Sequence, residues 1–183
     1  MWWHRAALGS GALLPTGLRP GPPVAVGAFV RYLDSPVGAY DEVLACPHLL
    51  TGGRLHIPFI AVDSLPSVVG GRAHWSLPKT LASFTRTRFE VRAEGTAAGG
   101  WSVAATACPV GPWLPLLGMA RLTQVDWDGW MSSSTTRAAV LGRLARVDVT
   151  SSAGLAPWLL PGRHHGAVLR GRIVVGAVRR RSA

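Results

Sequence analysis

The sequence predicts a single, mainly β domain with short helices, folded as an antiparallel barrel or a sandwich of two sheets. Three observations predict it. The 183 residues fit one domain with a sizeable core. Apolar residues make up 48% against 15% charged, the balance of a globular chain and not a disordered one. Glycine (22) and proline (14) exceed ordinary usage and valine is frequent, which favours short strands joined by many turns over long helices.

Residues 1–23 read as a loosely ordered arm ahead of a domain at 24–183. His4 and Arg5 followed by a short apolar run imitate a signal peptide, but Gly9, Ser10, Gly11 and Pro15 interrupt the run. A start placed off the true one is the other reading. No stretch approaches about 18 uninterrupted apolar residues, so no transmembrane helix is expected, and the expected compartment is the cytoplasm.

Pro20 to Pro23 close the arm. VAVGAFVRYLD from Val24 is a β-rich run that ends at the turn residues Asp34-Ser35-Pro36. Ala39 to Cys46 alternate as a second strand, with Tyr40 and Glu42 on one face and Asp41 and Val43 on the other. Gly52-Gly53 is a turn, and RLHIPFIAVD (54–63) is a third strand in which Pro58 implies an edge or a bulge. Ser64, Pro66 and Gly70 frame a short helix. FTRTRFEVRAE (84–94) alternates as a solvent-edged strand with room for a register change near Phe89. Gly99-Gly100 connect it through Thr96 to WSVAATACPV. The stretch 111–136, rich in Pro, Trp and Ser, follows neither period. Within it Ser132-Ser133-Ser134 reads as a loop and DWDGW (126–130) as a turn beside a tryptophan anchor. ARVDVTSS (145–152) and VLRGRIVVGAV (168–178) are two late strands.

The formal charge of +10 raises nucleic-acid binding as a function. The arginines are nevertheless spread over many elements, and only VRRR at 178–181 is dense, at the very end. No helix-turn-helix, zinc-finger or RNP-like pattern accompanies it, so a basic nucleic-acid-binding domain ranks third among the readings. Cys46 and Cys108 lack metal-ligand spacing and read as buried thiols of a reducing compartment. His74 has no spaced partners, and the adjacent His164-His165 do not suit one ion, so no metal site is expected. Neither a G-x-S-x-G nucleophile setting nor a phosphate-binding glycine loop is present.

Lys79 is the only lysine, against eighteen arginines, and it lies in GRAHWSLPKTLASF (71–84). A guanidinium stays protonated, whereas a desolvated ammonium can lose its proton and attack a carbonyl. Gly38-Ala39-Tyr40-Asp41-Glu42, then Gly71-Arg72, then Leu77-Pro78-Lys79-Thr80-Leu81 resemble the motif series of the acetoacetate decarboxylase family. In that family G-x-Y-x-E precedes G-R-E, which runs into an aromatic-P-K-K-L stretch. The order matches, and so does the gap-free spacing from Gly71 to Lys79. The resemblance covers roughly 24–178, and its specific part about 38–84.

The resemblance implies an acetoacetate decarboxylase-like β-barrel or double sheet with an internal cavity, assembled as a homo-oligomer. It also implies a cofactor-independent lyase that acts on a small oxo acid or related carbonyl compound through a Schiff base. Lys79 takes the Schiff-base position and Glu42 that of a pocket glutamate, and these two are expected to be catalytic. Arg72, Tyr40, His74 and Leu77 are expected to line the substrate. Four positions depart from the family pattern. Thr80 replaces its second lysine, Ala73 the glutamate of G-R-E and Leu77 the aromatic residue, and its other pocket glutamate, counted back from Glu42, falls near Gly27, where no carboxylate stands. Its N-terminal arginine has no aligned counterpart, which leaves Arg5 and Arg19 by elimination. A free lysine has a pKa of about 10.4, so a nucleophilic Lys79 needs burial or a neighbouring cation. With Thr80 beside it, desolvation by Trp75, Leu77, Leu81 and Phe84 is the available means, with Arg72 adding charge if it folds inward. The alternative reading is a non-catalytic small-molecule-binding member of the same fold.

Overall fold

The computed structural model describes residues 1–88, 90–95, 100–126 and 128–182. Its strands are β1 (Trp2–Arg5), β2 (Val24–Tyr32), β3 (Tyr40–Cys46), β4 (Phe59–Val62), β5 (Lys79–Leu81), β6 (Ser83–Arg86), β7 (Glu90–Gly95), β8 (Trp101–Val125), β9 (Trp130–Ser151), β10 (Gly162–Val175) and β11 (Arg179–Ser182). One α-helix, α1 (Leu65–Trp75), joins β4 to β5, and a 3-10 turn spans Ser10–Leu13.

The strands form one sheet in the order β5-β4-β3-β2-β1-β10-β9-β8-β7-β6, with β11 pairing with β9. The β4–β5 pair is parallel because α1 carries the chain back across; the other pairs are antiparallel. The sheet is therefore mixed, and no ladder closes it. Its two edges, β5 and β6, are separated in sequence by Ala82 alone, so the sheet must curl until the edges meet. Side chains from distant strands then share one core, with Trp2, Val43, Ala61, Val103, Val147 and Leu159 among its members.

The mainly β expectation holds, and several local expectations do not. Residues 2–5 are no loose arm: β1 lies between β2 and β10, and Trp2 is fully buried with its ring 6.1 Å from Phe29. Of the stretch 54–63 only Phe59–Val62 joins the ladder, in an interior position just after Pro58. The run 84–94 is two strands, turned where Thr87 N–H donates to Glu90 O (2.9 Å) and Thr87 Oγ1 accepts from Glu90 N–H (3.0 Å). Phe89, Thr96, Gly99 and Trp127 lie outside the described residues.

The helix runs on through Gly70-Gly71 to Trp75 and stops at Ser76, whose φ of 52° is left-handed. The stretch 111–136 is the paired far end of β8 and β9, closed by an Asp126–Trp130 turn in which Asp126 Oδ1 accepts from Trp130 N–H (2.8 Å). Ser132-Ser133-Ser134 is strand and not loop, with Ser132 and Ser134 buried. Prolines 109, 112 and 115 are tolerated in β8 because β7 pairs only with residues 101–106, so beyond them one side of β8 is open. Cys46 is buried as expected, but Cys108 is exposed on β8. Among the described residues no helix is long and apolar enough to cross a membrane.

Candidate active site

The site is built by β3, β5 and α1. Alternation along β3 puts Tyr40 and Glu42 on one face, and β5 carries Lys79 two strands away. Two strand spacings are about 10 Å, a gap that an extended lysine and a glutamate close between them. Helix α1 starts at Ser64, whose side chain caps the Ser67 N–H (3.3 Å), and it turns Ser67, Val68 and Gly71 inward. Ser67 and Gly71 are four residues apart and share a helix face.

Lys79 Nζ donates to Glu42 Oε2 at 2.7 Å and to Ser67 Oγ at 2.9 Å, and it stands 5.1 Å from the centre of the Tyr40 ring. All three residues are buried from solvent: Lys79 is 5% exposed, Glu42 3% and Ser67 4%. Gly71 supplies the floor. A Cβ at that position would lie 2.6 Å from Lys79 Cδ and 2.9 Å from Cε, so the lysine stem rests directly on the helix backbone. On the far side of the carboxylate, Tyr32 donates its hydroxyl to Glu42 Oε1 (3.4 Å) and stacks on Tyr40 at 4.5 Å. Burial pushes the Glu42 carboxyl above its ordinary value, against the opposing pull of Lys79 and Tyr32. Burial and the adjacent carboxylate likewise push the Tyr32 hydroxyl up.

Of the residues singled out in the sequence, Lys79, Glu42 and Tyr40 converge. Arg72 does not: its Nε donates to the Lys79 carbonyl oxygen (2.8 Å), which ties β5 to α1 from the exposed side of the helix. His74 is exposed, with its ring edge-on to Trp75 at 5.6 Å. Leu77 packs with Ile57, Ile60 and Leu122 in a separate apolar cluster. Thr80 points to the opposite face of β5 from Lys79, toward the Ile60 carbonyl (3.5 Å). Arg5 and Arg19 are both exposed. Gly27 has no room for a side chain, because a Cβ there would meet Trp2 Cζ2 at 2.3 Å and Leu159 Cδ2 at 2.8 Å. The buried indole of Trp2 occupies the space that a larger residue at Gly27 would need.

Ser67 and Tyr32 belong to the site and were not identified from the sequence, and Gly71, quoted there in the Gly71-Arg72 motif, was given no part in the site. Their signal was present: Ser67 and Gly71 fall on one helical face, and Tyr32 ends the strand next to Tyr40. Placing the helix end at Gly70 hid the first relation. Among the described residues no group of three His, Cys, Asp or Glu side chains is arranged to hold a metal ion. The chemistry available to the cluster is proton exchange between a buried amine and a buried carboxyl, with the Ser67 hydroxyl 2.9 Å from Nζ able to accept from an ammonium or donate to a neutral amine.

Residues 10–106 match the family model described as acetoacetate decarboxylase (ADC). No curated protein matches the sequence. Among solved structures, one titled "Structural Studies of Acetoacetate Decarboxylase" superposes with a TM-score of 0.62 at 13% identity, over 97% of this chain and 85% of that one. The acetoacetate decarboxylase of Legionella pneumophila superposes with a TM-score of 0.54 at 15% identity, over 96% of this chain and 82% of that one.

Proposed function

This chain belongs to the acetoacetate decarboxylase family, and from that premise we propose that it is a cofactor-independent lyase acting on a small oxo acid through a Schiff base at Lys79. The observation that carries the reading is the 2.7 Å contact between Lys79 Nζ and Glu42 Oε2 inside a nearly dry site. In water the ammonium and carboxylate would both stay charged. In a desolvated pair, moving the proton from Nζ to Oε2 removes two buried charges at once, so the neutral amine becomes accessible without a second cation beside it. Glu42 thus replaces, by proton transfer, the activation that a neighbouring lysine at position 80 would give by repulsion.

The steps follow from that transfer. The Nζ lone pair attacks the substrate carbonyl carbon, and the Glu42 carboxyl returns its proton to the carbinolamine oxygen, which leaves as water. The protonated imine then draws in the electron pair of the bond to a β-carboxylate. Carbon dioxide departs, an enamine remains, and protonation followed by hydrolysis frees the product and Lys79. Ser67 Oγ holds the nitrogen in place throughout, while Tyr40 offers its ring face to the cationic stages. Retro-aldol or dehydration chemistry would use the same imine. A homo-oligomer, as the family resemblance implies, working in the cytoplasm completes the reading.

Release of carbon dioxide from acetoacetate and a panel of β-oxo acids tests the proposal. Turnover should vanish in Lys79→Arg, which keeps the charge and lacks the nucleophile. A second reading has one observation in its favour: Nζ already finds a carboxylate, a hydroxyl and a ring face, the full complement of a structural ammonium. On that reading the protein binds a small molecule without turnover, and Lys79→Arg loses no activity because none exists.

A further inference from the structure

The positive charge is unevenly placed. Ten of the eighteen arginines fall in residues 95–183, against Asp126, Asp128 and Asp148 alone, so most of the +10 charge resides there. In this half β8, β9 and β10 run beyond the curled sheet as a three-stranded ribbon, with residues 110–121 and 167–175 flanking 136–144 of β9. The ribbon is free along both edges, since β7 pairs with β8 only at 101–106 and β1 meets β10 only at His165 and Gly166. None of the three acids lies in it.

Directly paired residues share a face and successive residues alternate. Met119, Arg137 and Val174 therefore lie side by side, and two residues along the strands Leu117, Ala139 and Arg172 do the same. On that face the Arg170 guanidinium sits 4.6 Å over the Trp113 ring. The face is open: Leu117 is 90% exposed, Met119 75% and Val174 49%, and Arg137, Arg170 and Arg172 are exposed with them. Elsewhere exposed arginines find acids, as Arg92 does in Glu94 (2.6 Å) and Arg163 in Asp148 (2.8 Å). Among the described residues no arginine of the ribbon has a carboxylate partner.

We propose that this face docks the protein on the surface of an anionic lipid bilayer. A partner must satisfy two features at once, unpaired guanidinium groups and aliphatic side chains standing among them. Headgroup phosphates accept from the arginines, while Leu117, Met119 and Val174 enter the boundary of the acyl layer. The arginine stems lie along that boundary with their charged heads in the polar layer. Trp113 supplies the amphipathic ring that settles at headgroup level. A single-stranded nucleic acid would meet the charge but needs several rings for its bases to stack on, and Trp113 is the only aromatic residue in the ribbon. The opposite face of the ribbon carries no ionisable group, so charge assigns the docking face.

The inference needs no reaction at Lys79 and stands or falls apart from it. Co-sedimentation of the full chain tests it, with vesicles of phosphatidylcholine alone and with about 30% phosphatidylglycerol added. Binding is expected to the anionic vesicles only, and to fade as salt rises. One arginine near an anionic surface multiplies binding about fivefold, so the charge reversals Arg137→Glu and Arg172→Glu should each weaken it at least about tenfold. Leu117→Ser should weaken it severalfold at unchanged charge. Two variants should bind as the wild type does. Ile173→Ser lies on the opposite face, and Arg5→Glu is carried by β1 toward the other end of the sheet. All should keep the wild-type circular dichroism spectrum. Equal binding to neutral and anionic vesicles, or binding to neither, overturns the proposal. So does a loss in Arg5→Glu as large as in Arg172→Glu, undiminished binding in Leu117→Ser, or tighter binding to a single-stranded oligonucleotide than to the anionic vesicles.

Discussion

Among the described residues Lys79 and Glu42 are each other's only charged partner in the site, so removing either leaves the other buried without an opposite charge. Lys79→Met should cost about 3–5 kcal/mol near neutral pH, because it strands a buried carboxylate. The sign of its pH dependence follows from the raised Glu42 carboxyl. A group whose folded pKa is raised favours the folded state while protonated, so the variant should be nearest wild-type stability at low pH. It should lose ground as pH climbs above the ordinary glutamate value of 4.5. Urea titrations across pH measure this. The same carboxyl should shape reactivity. Once solvent protonates Glu42, Nζ has no acceptor for its own proton, so imine formation should show an acid limb lying above 4.5. Glu42→Gln should remove that limb and slow imine formation at pH 7 about 100-fold. Tyr40, Glu42 and Lys79 were legible as residues because they recur in motif order. Ser67 was not, because a helix ended at Gly70 hides the face it shares with Gly71, and the packing of α1 shows what it touches.

Helix α1 holds two adjacent glycines with opposite duties. Nothing lies within 4 Å of a Cβ at Gly70, whereas one at Gly71 would collide with the Lys79 stem. Gly70→Ala should therefore stabilise the protein by up to about 1 kcal/mol through helix propensity. Gly71→Ala should forfeit that gain and reduce imine formation more than tenfold, as thermal melts and trapping rates would show. The pair also explains why the helix end was misplaced: glycine usually signals a stop, and here it makes room for a side chain from another strand. β1 was illegible for a related reason. Four residues with one buried tryptophan have too short a pattern to register as a strand, and their place is fixed by β2 and β10. Its His4 takes a hydrogen bond from Leu160 N–H on Nε2 (3.3 Å) and bonds Arg5 O through Nδ1 (2.8 Å), an arrangement of the neutral ring. Burial lowers its pKa, with the Arg5 carbonyl opposing, and burial lowers that of His56 as well. Unfolded imidazoles take up protons below about 6.5 while these resist. Melting temperature should therefore fall as pH drops from 7.5 to 5, and His4→Gln should flatten the slope.

Across the whole molecule, the mainly β class and the cluster between residues 38 and 84 could be read from turn chemistry, alternation and motif order. The far half of the β8–β9 hairpin, 111–136, could not. Its prolines and serines carry the composition of a loop, and it is a strand pair only because β9 is flanked on both sides. Gly27 is the most instructive departure from the family pattern, because the indole of Trp2, from a segment expected to be loose, fills its space. The buried cluster holds one lysine and one carboxylate, and the proposed chemistry requires that lysine to be a nucleophile. Lys79 is the only lysine in the sequence, and the α-amino group of Met1 is bonded to Ala167 O at 3.0 Å. The most direct measurement is borohydride reduction in the presence of acetoacetate or pyruvate, followed by peptide mapping by mass spectrometry. A Schiff base at Lys79 predicts a reduced adduct on the Lys79 peptide, absent without the oxo acid and strongly diminished in Glu42→Gln. Adducts at Met1 alone, or none with any oxo acid tried, would contradict it.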